Sequence, residues 1–224
     1  MKPIITYLGS IINNNDVYLE SLLDNEDTFY GANSDKKMVE SWIRDNYKIG
    51  GNLTISDDLV VDCNNTVKIK NKSITSLTNG LFRWGNVGKS FLCNGCKSLI
   101  SLEGAPKEVG GDFWCDYCSG LETLEGAPKK VGKSFDCSFC NNLISLEGAP
   151  KEVGGYFYCI SCNNLKSLEG APKEVYGGFS CSFCNNLKSL KGAPEKINGD
   201  FYCSGCKNLK ITDSDRKRYK LYKY

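Results

Sequence analysis

The sequence predicts a mainly β fold, a single-chain solenoid of 22-residue units with a small α-helical N-terminal cap and a short C-terminal helix. Three observations carry that prediction. Cys93, Cys115, Cys137, Cys159, Cys181 and Cys203 recur every 22 residues, and Cys96, Cys118, Cys140, Cys162, Cys184 and Cys206 keep the same step. Phe91, Phe113, Phe135, Phe157, Phe179 and Phe201 share it, as do Leu102, Leu124, Leu146, Leu168 and Leu190, and Pro106, Pro128, Pro150, Pro172 and Pro194. No insertion breaks the phase across these ladders. A strict period of this length marks a stack in which each unit buries its apolar face only against its neighbours.

Taken in order, residues 1–48 read as the α-helical cap. Residues 16–24 set Val17, Leu19, Leu22 and Leu23 at helical spacing, and residues 34–46 do so with Met38, Val39, Trp42 and Ile43, Ser34 being the N-cap. Residues 1–12 faintly resemble a signal peptide but have no small-residue cleavage site before Asn13, so they are expected to belong to the folded N-terminus. Residues 49–86 read as degenerate repeats. Ile49-Gly50-Gly51-Asn52-Leu53-Thr54-Ile55 echoes Val109-Gly110-Gly111-Asp112-Phe113-Trp114-Cys115. Leu59, Val61, Cys63, Val67 and Ile69 alternate as strands do, and Leu81-Phe82-Arg83-Trp84 interrupts the phase with extra residues.

Residues 87–210 form the regular array. Phe113-Trp114-Cys115 alternates in and out with period two and reads as a short strand, and Cys118 and Leu121 point back inward past a turn. Leu102-Glu103-Gly104-Ala105-Pro106-Lys107-Glu108-Val109 returns along the other side, extended because it holds proline and glycine, and Gly110-Gly111 supplies the tight corner. The period allows about six to eight rungs, expected to wind right-handed. Residues 211–224 read as a basic C-terminal cap helix, with Ser214-Asp215 capping a turn of helix from Arg216 to Tyr222.

The units resemble leucine-rich repeats. Phe113, Cys115, Cys118 and Leu121 stand where that family's strand segment has its second and third leucines, its Asn/Cys and its last leucine, while the first leucine position holds glycine. Leu102, Ala105, Pro106 and Val109 resemble the return segment of short bacterial repeats, with Glu103 in place of its first proline. The repeated wording, as in residues 101–111, is also similar to that of repeat proteins of bacteriophages and large viruses. This likeness covers roughly residues 87–210 and implies a fold more than a function.

Composition bounds the chemistry. Apolar residues are 41% and charged residues 24% of the chain, with a net charge of +2, which is ordinary for a globular protein and gives no whole-molecule pull toward nucleic acid or membrane. No apolar run is long enough to span a membrane. The absence of histidine excludes a Ser/His or Cys/His catalytic pair, and 13 cysteines cannot all pair internally. The Cys-x-x-Cys pairs match zinc-ribbon spacing, but they share their period with Phe, Leu and Pro, so one cause explains every ladder. The preferred reading makes them structural core: small buried thiols stacked about 4.8 Å apart, each able to donate to a loop carbonyl. Zinc shared between successive pairs and cross-rung disulfides are the alternatives. Many unpaired thiols suit a reducing cytoplasm. No cofactor and no metal are expected.

Gly88-Lys89-Ser90 and Gly132-Lys133-Ser134 look like P-loop ends, but Arg83 and Ala127 replace the leading glycine and a strand follows each, so they read as repeat corners. Glu103, Glu125, Glu147 and Glu169 form a solvated stripe. Nothing here points to an enzyme. The residues beside each phenylalanine vary while the return segments barely do, and they put Leu92, Trp114, Asp116, Asp136, Tyr156, Tyr158, Ile160 and Tyr202 outward on the strand face. Aromatic side chains of this kind dominate interface energy. The first expectation is therefore a non-enzymatic protein-interaction module. If the viral likeness holds, its target is a host defence or regulatory protein, blocked by occlusion in the host cytoplasm. Residues 1–48 carry 5 basic and 8 acidic groups, and residues 207–224 carry 7 basic and 2 acidic. Arg216, Lys217, Arg218, Lys220 and Lys223 offer a contact for nucleic acid or for the acidic end of a second copy, which are the lesser alternatives beside a structural component of a particle.

Overall fold

A computed structural model describes residues 32–221, with side chains from Asp35 onward. The helix predicted over residues 16–24 lies outside the described residues, as do Tyr222, Lys223 and Tyr224. The fold is mainly β, a solenoid whose repeating turns span 22 residues. Strands numbered in chain order build two eight-stranded sheets. The first runs β1 (Tyr47–Ile49), β4 (Val67–Ile69), β6 (Phe91–Leu92), β8 (Phe113–Trp114), β10 (Phe135–Asp136), β12 (Phe157–Tyr158), β14 (Phe179–Ser180) and β16 (Phe201–Tyr202). The second runs β15 (Lys196–Ile197), β13 (Glu174–Val175), β11 (Glu152–Val153), β9 (Lys130–Val131), β7 (Glu108–Val109), β5 (Arg83–Val87), β3 (Val60–Cys63) and β2 (Leu53–Ile55). From β3 on, the chain visits the second sheet and then the first in each rung, and every strand pairs in parallel with its copy in the next.

Two-residue strands suffice because period-two alternation sends one residue of each inward. The phenylalanine rings stack from Phe91 to Phe201 at centroid distances of 5.2 to 5.5 Å, none tilted by more than 17°. The cysteine, leucine and valine columns fill the rest of the core, and the side chains of the central rungs are fully buried.

The return segment is not simply extended. It bends sharply at Leu102–Ala105, where the Ala105 amide donates to the Leu102 carbonyl at 2.9 Å and Gly104 has φ +84°. A Cβ on the equivalent Gly126 would lie 2.4 Å from the Glu103 nitrogen, so left-handed backbone and rung-to-rung approach both demand glycine there. Gly110 has no positive φ; it is glycine because a Cβ would meet the Gly88 carbonyl oxygen at 2.3 Å.

At the N-terminal end, α1 (Ala32–Asn46) begins before Ser34, which therefore lies inside the helix and is not its N-cap. Val39 and Ile43, four residues apart on one face, are buried, and Tyr47 follows them into the core. Tyr47 packs on Trp84 at 5.3 Å and on Phe91 at 6.2 Å, closing the ring column. The echo of the repeat in residues 49–55 does not make a rung. β1 pairs antiparallel with β4 and β2 antiparallel with β3, so this segment crosses the sheets in the reverse order, first sheet before second. The first true rung follows it and is longer than the rest: Val67 pairs with Phe91, 24 residues on, and the register shifts between Val61 and Cys63.

At the other end, α2 (Asp213–Tyr219) starts one residue before Ser214, so Ser214-Asp215 is not its cap. Thr212 is the N-cap and Asp215 its capping-box partner, each side chain holding the other's backbone amide. Lys220 turns left-handed at φ 54°, so the helix ends there and does not reach Tyr222. The Tyr219 ring stacks on Phe201 at 4.5 Å and its hydroxyl donates to the Pro194 carbonyl, and Leu221 is buried beside it.

Candidate functional site

All thirteen cysteines are free thiols. From the second pair on, the second cysteine donates its S–H to the carbonyl of the first cysteine one rung earlier: Cys118 to Cys93, Cys140 to Cys115 and Cys162 to Cys137 at 3.2 Å, Cys184 to Cys159 at 3.0 Å and Cys206 to Cys181 at 3.1 Å. The ladder satisfies carbonyls that the tight Cys-x-x-Cys turn leaves without a backbone donor. Burial pushes the Cys93, Cys115, Cys137, Cys159 and Cys181 thiols well above the ordinary range and Cys203 up to about 12. Thiolate chemistry needs the opposite shift and an open position; the Cys96 thiol is held down by its hydrogen bond with Cys118 and by the nearby Lys72, but it is fully buried. Among the described residues, no group of three or more His, Cys, Asp or Glu side chains is placed to hold a metal ion.

The outward positions of the first sheet form registered columns. Leu92, Trp114, Asp136, Tyr158, Ser180 and Tyr202 pair successively across the rungs, which brings these predicted face residues together. Trp114, Tyr156 and Tyr202 are exposed, while Leu92, Asp116, Asp136, Tyr158 and Ile160 are half-buried. Ser180, between Tyr158 and Tyr202 in the column, is only 4% exposed, so neighbouring large side chains partly roof the small ones. Tyr156 and Tyr158 stack in parallel at 5.4 Å. Along the flanking column, Asp112 accepts from the Ser134 amide, and the Ser134 hydroxyl accepts from the Tyr156 amide, each at 3.1 Å.

A further column was not among the expected site residues. The second residue between each pair of cysteines, at Gly95, Tyr117, Phe139, Ser161, Phe183 and Gly205, has φ between 56° and 74° throughout. Glycine occupies this position at little cost; a bulky aromatic there is strained. Yet Tyr117 and Phe183 are each 54% exposed, and Tyr117 and Phe139 stack at 4.5 Å along the rim of the face. The signal in the sequence was a repeat position that holds glycine at both ends of the array and aromatics or serine between, which marks a left-handed residue whose side chain points away from the core.

The two sheets differ in charge. On the second sheet, outward lysines and glutamates meet in register: Lys130 pairs with Glu152 at 3.3 Å, and Lys196 with Glu174. The Glu103, Glu125, Glu147 and Glu169 stripe is exposed, and Glu169 pairs with Lys191 at 2.8 Å. From β8 to β16 the first-sheet face carries Asp112, Asp116, Asp136 and Asp200 and no lysine or arginine. Among the described residues none of these four carboxylates forms an ion pair. Burial and the neighbouring Asp136 raise the Asp116 carboxyl above its usual range, and burial raises that of Asp136. One Asp116 oxygen is enclosed with no hydrogen-bond partner.

The basic C-terminal residues have local roles. Arg218 donates to the Glu195 carbonyl and Arg216 to that of Leu221, while Lys217 and Lys220 are exposed. An open groove of about 760 Å³ lies beside α2, lined by Phe183, Cys203, Cys206, Leu209, Ile211 and Arg216 among others. Compared with known proteins, the chain matches no family model, no curated protein and no solved structure.

Proposed function

We propose that this chain is a non-enzymatic protein-interaction module whose binding surface is the outward face of the first sheet. The supporting observation is the contrast between the sheets. One carries Lys130–Glu152 and Lys196–Glu174 ion pairs, while the other carries exposed Trp114, Tyr156 and Tyr202 beside carboxylates with no ion-pair partner. Exposed aromatics gathered on one face of a rigid stack are the anchors expected of a protein interface. The rim column adds to this, because exposed aromatics on backbone that favours glycine, packed only along the rim itself, persist where a partner uses them. A reducing compartment suits its free thiols. If the likeness to viral repeats reflects descent, the partner is a host protein occluded by the face.

The test compares capture from lysate by the chain and by a Trp114→Ala, Tyr158→Ala double variant that keeps the wild-type circular dichroism. Selective loss of the captured protein supports the face. Undiminished capture by the folded variant removes it. The alternative use of the C-terminal tail on nucleic acid has less support, because Tyr219, Arg216 and Arg218 hold the end of the stack.

A further inference from the structure

We propose that what docks on this face is an arginine-bearing segment of the partner protein, its guanidinium seated over Asp136 between Trp114 and Tyr158. The inference rests on the reading of the face as a protein-binding surface and specifies its chemistry. Asp136 pairs in register with Trp114 on one side and Tyr158 on the other, so an acidic residue stands in the column between two aromatic ones, one rung away each. Asp116 follows Trp114 on the same face, and Tyr117 beyond it leads into the rim column. A planar cation that stacks on aromatic faces and forks onto a carboxylate matches this arrangement; a lysine ammonium, a point charge, uses only part of it.

Charge complementarity points the same way. The two carboxylates are half-buried and neither forms an ion pair; Asp136 accepts from the Ser138 amide at 2.8 Å, while one enclosed Asp116 oxygen still lacks a donor. The lysine whose charge bears on Asp116 is Lys72, and its ammonium is bonded to the Asn94 carbonyl one rung away. The second sheet pairs Glu152 and Glu174 with lysines; this face leaves its carboxylates for a partner to pair.

The test uses a fluorescein-labelled Gly/Arg/Ser peptide and the same peptide with citrulline in place of arginine, read by fluorescence anisotropy. The wild-type chain is expected to bind the arginine peptide saturably, more weakly as salt rises, and to bind the citrulline peptide at least about tenfold more weakly. Asp116→Asn with Asp136→Asn should cost a similar factor, while Glu108→Gln with Glu125→Gln, off this face, should cost nothing. Should the Asn pair fail to fold, Asp116→Ser with Asp136→Ser replaces it, since serine fills the same columns at Ser138 and Ser180. Equal binding of both peptides, or arginine binding that survives loss of both carboxylates, overturns the proposal. Capture from lysate lost with Trp114→Ala, Tyr158→Ala but kept with Asp116→Asn, Asp136→Asn overturns it while leaving the face as the binding surface; capture kept by both variants removes the face itself. Concentration-dependent association of the purified chain, abolished by the Asn pair, would assign the face to the chain's own basic C-terminus and overturn a separate partner.

Discussion

Tyr117 and Phe139 occupy backbone that favours glycine, with φ of 57° and 60° and with much of each ring exposed. Placing an ordinary side chain there costs about 1–2 kcal/mol. Tyr117→Gly and Phe139→Gly should therefore leave the thermal midpoint unchanged or raise it, while weakening the proposed interaction. A clear fall in the midpoint, read by circular dichroism, would make these rings structural. The carboxylates behave similarly. Because the folded chain raises the Asp116 and Asp136 carboxyls, it holds more protons than the unfolded chain in the window above the ordinary carboxylate range. These groups then add stability as pH falls through that window and withhold it at neutral pH. Asp116→Asn with Asp136→Asn should raise the unfolding midpoint at pH near 7, with the gain vanishing by about pH 4. A variant less stable than wild type at neutral pH would contradict the desolvation that the buried carboxylates imply.

At the scale of the element, what could be read from the sequence was whatever repeats. Phe, Cys, Leu and Pro at one period specify which side chains stack, so the rung and its core are legible from spacing alone. The ends and corners were not, because there the same residue types obey different constraints. Ile49-Gly50-Gly51 illustrates this, since it follows the wording of the corner at Val109-Gly110-Gly111 while the flanking strands pair antiparallel. Strand direction depends on what closes the end of the stack, and no local pattern encodes it. The helix start was misplaced for a related reason: Ser214 and Thr212 are both capping types, and only the reciprocal bonds between Thr212 and Asp215 decide between them. Of the candidate site, the strand columns were legible by alternation, whereas the rim column needed the φ values that turn a Cys-x-x-Cys spacing into a left-handed corner. Thr212→Ala should cost about 1 kcal/mol of α2 stability and release Tyr219 from Phe201. Hydrogen exchange should then quicken in β15 and β16 alone; a change spread into β9–β12 would show that the end is not a separate element.

At the scale of the molecule, the buried thiols couple the whole stack to pH. Cys93, Cys115, Cys118, Cys137, Cys140, Cys159, Cys181 and Cys184 all have their thiols pushed up by burial or by a neighbouring cysteine. In the unfolded chain a thiol ionises near pH 8.5. The sign follows: below that pH both states hold the proton and stability is flat, and above it the unfolded chain releases protons that the folded chain keeps. Each such thiol then removes about 1.4 kcal/mol of stability per pH unit, and the losses add because the columns run through every central rung. Few proteins carry more than about 15 kcal/mol of stability in total, so a stack with this many concealed thiols should fail abruptly. Urea unfolding followed at successive pH values should show a constant midpoint up to about pH 8 and a collapse within roughly one to two units above it. Alkylation with iodoacetamide should report the same event site by site, with Cys203 and Cys206 at the C-terminal end reacting before Cys137 and Cys140 in the middle, since each rung is held only by its neighbours. A midpoint that stays level to about pH 10, or thiols that react at one common rate, would mean that the ladders are open to solvent and that the cysteines do not form the continuous core described here.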